Sequence, residues 1–258
     1  MNVSFIKFIE KPYKAYILQV IYVLTGLIFI SIVSILFKKS GVNITYPTFL
    51  LFAAGYLTVS ILLKNLSQIR YYWDLRRIYF VFIGFVIGII IQFFPVFLGN
   101  KSGIRIENIL HSLNQIGLIG IGLTVLTVAW EELWFRNPIL NQVTKTKNQV
   151  IFSVFNGLLF AMLHLLNPKI NLFHDGYELI LAGTLLTFRY YVSKSFWMPL
   201  GIHLGNNMIS SLFEKSNLNG NIADTNSELV LRCIAIMIVL AFFYTFWPAR
   251  KRKHVISP

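Results

Sequence analysis

The sequence predicts an all-α integral membrane protein, a polytopic bundle of about eight transmembrane helices. Three observations lead there. Hydrophobic residues make up 56% of the 258 and charged residues only 13%, where a soluble domain carries about 25% charged. The mean hydropathy is +0.66. The apolar residues also come in runs of about 20, the length a helix needs to cross a hydrocarbon core of about 30 Å. Open sheets cannot take that role, because their edges leave backbone groups unpaired in lipid.

The runs fall near residues 15–37, 45–63, 78–98, 114–142, 149–166, 177–193, 196–213 and 229–247. The first follows the basic stretch MNVSFIKFIEKPYK and is longer than the apolar region of a signal peptide, so it is expected to stay as a helix. The second, third and last are plain lipid-type spans. The middle four each carry polar residues or breaks, and the sixth and seventh are separated only by VSKSFW, a tight reversal. No internal repeat and no low-complexity linker divides the chain. One helical membrane domain is expected, with N-terminal helices over 1–114, a polar core over 115–213, and a last helix with a basic tail over 214–258.

The formal net charge of +13 does not point to nucleic acid. The lysines and arginines flank apolar runs, where they suit lipid headgroups and set orientation. With eight spans both termini share a side. That side carries sixteen lysines and arginines against seven opposite, which puts both termini in the cytoplasm. The single cysteine, Cys233, has no internal disulfide partner and no neighbour that would activate it. A thiol nucleophile is not expected.

Ionisable groups inside spans are costly and mark function. Three clusters stand out: Glu131, Glu132 and Arg136 in EELWFR, Phe160 and His164 in FAMLH, and His203 and Asn207 in HLGNN. Glu132 and Arg136 are four apart, with the acid on the N-terminal side, so they are expected to pair on one helix face. Glu131 points about 100° away and must find its partner on another helix. His203 and Asn207 share a face by the same spacing. At 1.5 Å per residue, Glu131 lies about 17 Å from the end of its run near 142. By the same rise, His164 lies about 21 Å into its run, Asn207 about 16 Å and His203 about 10 Å into theirs. The four are expected to meet near mid-membrane.

A carboxylate and a histidine can hold one water and deprotonate it for attack on a carbonyl, and a carboxylate taken out of water becomes a better base. A second histidine and an amide can stabilise the oxyanion. That set of parts describes amide hydrolysis without a covalent intermediate. Glu131, His164 and His203 are also candidate Zn²⁺ ligands, since a Glu/His/His set with bound water is a known catalytic site. The H-E-x-x-H signature is missing, and the sequence leaves the zinc and metal-free versions open.

The order E-E-x-x-x-R, F-x-x-x-H, H-x-x-x-N in successive spans resembles the CPBP family of intramembrane proteases. This is the family of type II CAAX prenyl endopeptidases, Abi proteins and lysostaphin-resistance-protein-like proteins. The stretch LAGTLLTFRYYVSKSFWMPLGIHLGNN is similar to the family's span–turn–span segment. The resemblance implies an endopeptidase in which Glu131 and His164 activate water, His203 and Asn207 hold the oxyanion, and Glu132 and Arg136 support the site. Both a metalloprotease and a metal-free glutamate mechanism have been advanced for the family. One departure is Asn137, where the family often has glycine. The Lys-, Asn- and Ile-rich composition looks bacterial, which implies a plasma-membrane protein in contact with lipids. The expected substrate is a membrane-associated peptide or small protein. The competing readings are a non-proteolytic scaffold or bacteriocin self-immunity protein, which would need none of these residues, and a small transporter, which would show an inverted repeat.

Overall fold

The computed structural model describes residues 15–26, 28, 75–98, 106–136, 140, 143, 146–164, 172–215 and 225–252. The expected span at 45–63, most of the second half of the first span, and Asn137 lie outside the described residues. Among the described residues all regular structure is helical, as expected. Seven α-helices are described: α1 (Ala15–Gly26), α2 (Tyr79–Leu98), α3 (Ile106–Phe135), α4 (Thr146–His164), α5 (Leu172–Ser193), α6 (Trp197–Lys215) and α7 (Thr225–Arg252). A 3₁₀ turn, Leu75–Arg77, leads into α2. The helix α6 packs against α2, α3 and α5, α4 packs against α5, and α7 packs against α5 and α2.

Two stretches are long and apolar enough to cross a membrane, Leu75–Pro95 and Leu110–Phe135, and only 28% and 11% of their apolar windows are buried. The core helix of a soluble protein would be covered on most faces. Here Phe82, Leu118 and Ile119 lie open on the outside, where hydrocarbon and not water is the compatible surround.

The element boundaries correct the sequence reading in one consequential place. The fourth run was expected to continue to 142, but α3 stops at Phe135 and Arg136 sits in a bend. The carbonyl of Phe135 accepts side-chain amides: Asn156 Nδ2 at 3.1 Å and Gln19 Nε2 at 3.3 Å. Helix-end carbonyls need such partners, and Pro138 disfavours helical backbone at the residue before it. Glu131 is therefore about 6 Å from its helix end, not about 17 Å, and His164, the last residue of α4, is about 27 Å from its start. Equal depth in separate runs was the wrong reason for convergence. The helix also breaks at Gly117 (φ 62°, ψ 173°).

The reversal between α5 and α6 is built from polar caps. Lys194 takes a left-handed backbone (φ 49°). Arg77 Nη1 donates to the carbonyl of Lys194 at 2.9 Å, and Ser195 Oγ accepts from the Trp197 amide at 3.2 Å as the N-cap of α6. A left-handed non-glycine costs about 1–2 kcal/mol, part of which glycine returns as unfolded-state entropy. Lys194→Gly should therefore raise the melting temperature by about 2 °C, read by thermal denaturation in detergent.

Close approach of α2 and α6 depends on glycines. A Cβ on Gly88 would lie 2.2 Å from the Ile202 carbonyl oxygen, and one on Gly205 would lie 2.3 Å from that of Phe85. Gly84 and Gly201 meet backbone at similarly short distances. Small residues four apart let membrane helices pack backbone to backbone. The repeats GFVIG and GIHLG carry this, and His203 sits inside the second.

Candidate active site

The site is assembled where the end of α3 meets the middle of α6. Glu132 and Arg136 pair as expected, with Nη1 to Oε1 at 3.0 Å, both side chains fully buried. The same Glu132 Oε1 accepts from His203 Nδ1 at 2.8 Å. The other ring nitrogen, Nε2, faces Glu131 Oε2 at 3.4 Å. His203 thus stands between the two adjacent acids. This sharpens the expectation for Glu131: the described partner from another helix is His203 on α6. No comparably close contact with His164 on α4 is seen among the described residues.

His164 is fixed differently. Its Nδ1 lies 2.8 Å from the Phe160 carbonyl oxygen. A carbonyl only accepts, so Nδ1 carries the proton, and in the neutral ring Nε2 offers a lone pair. The Phe160 ring lies between the two imidazoles, 4.4 Å from His164 and 5.9 Å from His203 by ring centroids. It also stacks under the Arg136 guanidinium, 5.4 Å from the ring centre. Phe160→Ala would remove the spacer between both rings and leave a cavity, a change of about 3–5 kcal/mol in a packed core. The expected outcome is a lower melting temperature together with loss of any Glu131-dependent activity, measured on the same preparation.

A cavity of about 130 Å³ opens here, and Glu131, His164, His203 and Asn207 all line it. The four residues singled out in the sequence are brought to one space. The volume has room for several waters or for a peptide group. Its far wall is apolar, with Leu179 and Leu186 from α5, Ile202 from α6 and Ile236 from α7.

Two lining residues escaped the sequence reading. Asn206 stands beside Asn207, and its Nδ2 approaches Asn207 Oδ1 at 3.5 Å. Its spacing of three from His203 was a signal, because i and i+3 share a face. Glu178 on α5 also lines the cavity and meets Arg232 Nε of α7 at 3.0 Å. Arg232, Arg136 and Arg189 all enter the count of flanking cations, although Arg136 was also expected to pair with Glu132. Arg136 is instead buried in the site, and Arg189 is buried on the Phe243 ring, 3.4 Å from its centre. Setting these three aside leaves the excess of positive charge on the same side.

A zinc ion would need three donors drawn to about 2.0–2.2 Å of one point. Among the described residues no three His, Cys, Asp or Glu side chains group in that way. The Nδ1 atoms of His164 and His203 face the Phe160 carbonyl and Glu132, which leaves Nε2 of each ring as the atom a metal would use. No step below is routed through a metal.

The fold and site define a class: an all-helical protein with two stretches long and apolar enough to cross a membrane and a Glu/His/Asn cluster lining a cavity among its helices. Residues 109–209 match the family described as "Rce1-like: Type II CAAX prenyl endopeptidase Rce1-like", so this part of the chain, from α3 into α6, is similar to that family and all three motifs fall within it. The chain is also 30% identical over 155 residues to the uncharacterized protein YyaK of Bacillus subtilis (strain 168), a match covering 57% of this chain and 51% of that protein. The chain thus spans about half the length of this curated relative. No solved structure matches it.

Proposed function

We propose that the protein is an intramembrane endopeptidase that hydrolyses a peptide bond in a membrane-associated peptide or small protein, using water activated by Glu131 and His164. The observation that carries this is the cavity shared by Glu131, His164, His203 and Asn207, inside a segment similar to a peptidase family. Glu131 Oε2 is buried and accepts no hydrogen bond among the described residues, an expensive arrangement unless the oxygen is used.

In this mechanism Glu131 takes the proton of a water that His164 Nε2 orients. The hydroxide attacks the peptide carbonyl, and the oxyanion is held by His203 and Asn207. Glu131 then returns the proton to the leaving amine. For His203 to donate from Nε2 while Nδ1 donates to Glu132, both ring nitrogens must carry protons. The same reading keeps eight spans with both termini in the cytoplasm of a bacterium. Neither the family nor the geometry favours a scaffold or immunity role.

The test is the purified protein in lipid vesicles with a library of quenched-fluorescence peptides carrying apolar anchors. Cleavage that is lost in His203→Gln and Asn207→Ala supports the reading. No cleavage of any peptide by the wild type counts against it. Metal content measured on the active preparation decides the cofactor: full activity with no stoichiometric zinc supports the metal-free route, and activity that tracks zinc overturns it.

A further inference from the structure

The hydrogen bonds behind the site close into a ring. Asn156, on α4 and fully buried, donates through Nδ2 to the Phe135 carbonyl at 3.1 Å and to Thr187 Oγ1 at 2.8 Å. Thr187 Oγ1 donates in turn to the Gly183 carbonyl at 2.9 Å. The same Gly183 carbonyl accepts from Arg136 Nη2 at 3.1 Å. Arg136 follows Phe135 in the chain, so the circuit returns to its start after crossing α3, α4 and α5. Gln19 of α1 adds a fourth helix: its Nε2 donates to Asn156 Oδ1 at 3.0 Å and to the Phe135 carbonyl at 3.3 Å. From this ring Arg136 Nη1 reaches Glu132, and Glu132 reaches His203 Nδ1.

We propose that Asn156 is a positioning residue for the site: its amide fixes the end of α3, and through Arg136 and Glu132 it sets the orientation of the His203 ring. Three features support this. The Asn156 amide, a single planar group on α4, bonds to both α3 and α5, so its position relates the two helices. The atom it holds is the carbonyl at which α3 ends, one peptide from Arg136. The Asn156 amide is satisfied at both atoms, with Nδ2 donating twice and Oδ1 accepting from Gln19, and a satisfied buried amide has one well-defined arrangement. None of this touches the reacting atoms, and Asn156 does not line the cavity.

The inference rests on the proposed hydrolytic site only for its consequence in catalysis; the orientation of His203 can be read without any substrate. The experiment uses the full chain in detergent micelles with ¹⁵N-labelled histidine. The His203 Nδ1–H, bonded to Glu132, should give a downfield proton resonance, assigned by its disappearance in His203→Gln. Asn156→Leu should abolish or shift that resonance, and Gln19→Leu, which removes one of the two donors on Phe135, should shift it less. Phe213→Ala, a core deletion at the far end of α6, is the control for general destabilisation and should leave the resonance in place. If the wild type cleaves a probe peptide, Asn156→Leu should lower kcat tenfold or more with KM unchanged. An unchanged His203 resonance in folded Asn156→Leu overturns the proposal. So does an equal change in Phe213→Ala. If Asn156→Leu does not fold, Thr187→Val decides: it removes the Asn156–Thr187–Gly183 link at constant shape and must shift the same resonance. Failure of cleavage with the resonance behaving as expected would count against the function and leave the positioning role standing.

Discussion

Glu131→Gln leaves the chain in the membrane at its normal level and lowers peptide hydrolysis by about two to four orders of magnitude. The substitution keeps the size and shape of the side chain and removes its charge and its ability to accept a proton. A positioned general base contributes about 10²–10⁴ in rate, or about 3–5 kcal/mol in the barrier at 1.36 kcal/mol per decade. Folding should not suffer, because Glu131 Oε2 accepts no hydrogen bond among the described residues and its ion-pair distance to His203 is 3.4 Å. Glu132→Gln should behave differently. It strips the charge from a fully buried carboxylate that Arg136 and His203 share, and breaking such a pair on one side costs about 3–5 kcal/mol. The two adjacent acids thus separate by assay: one variant loses activity alone, the other loses stability as well.

Gly88→Val separates α2 from α6 and removes both stability and activity. The new side chain would start 2.2 Å from the Ile202 carbonyl oxygen and 2.7 Å from the Asn206 amide. Both are backbone atoms of α6, so no rotamer change relieves the contact and one helix must move. Overpacking in a tight interface costs about 1–3 kcal/mol for a methylene or two, and more when only backbone can yield. The displaced segment runs through Ile202, His203 and Asn206, so the imidazole moves off Glu131 and Glu132. Gly205→Val should do the same from the other helix. Gly122→Val on α3 is the matched control, because a Cβ there meets nothing within 4 Å. The expected result is a fall in melting temperature of several degrees for Gly88→Val and Gly205→Val and little change for Gly122→Val.

The grouping of the site residues around one cavity was legible because each motif is local. Glu132 and Arg136, and likewise His203 and Asn207, announce themselves by a spacing of four, and the absence of a local partner for Glu131 showed that another helix had to supply one. Which helix did so was not legible. His164 and His203 are equivalent by type, and only packing puts His203 between the acids. The end of α3 was misjudged by seven residues: Pro138 was a local stop signal that the run to 142 passed over, whereas the capture of the Phe135 carbonyl by Asn156 and Gln19 is a long-range event with no periodic signature. The α2–α6 crossing was written in the sequence as GFVIG and GIHLG, two repeats whose meaning depends on their facing each other. The Asn156 ring joins residues that a sequence reads as ordinary polar members of apolar spans.

The central claim is that Glu131 works in a peptide-cleaving site. The most direct test compares the membrane and secreted peptides of cells carrying the wild-type chain with those of cells carrying Glu131→Gln at equal protein level. The account predicts a defined set of shortened peptides, with their carboxyl ends generated only by the wild type, and the uncut precursors accumulating in the variant. Identical peptide profiles from the two strains, with both proteins folded in the membrane, would contradict it.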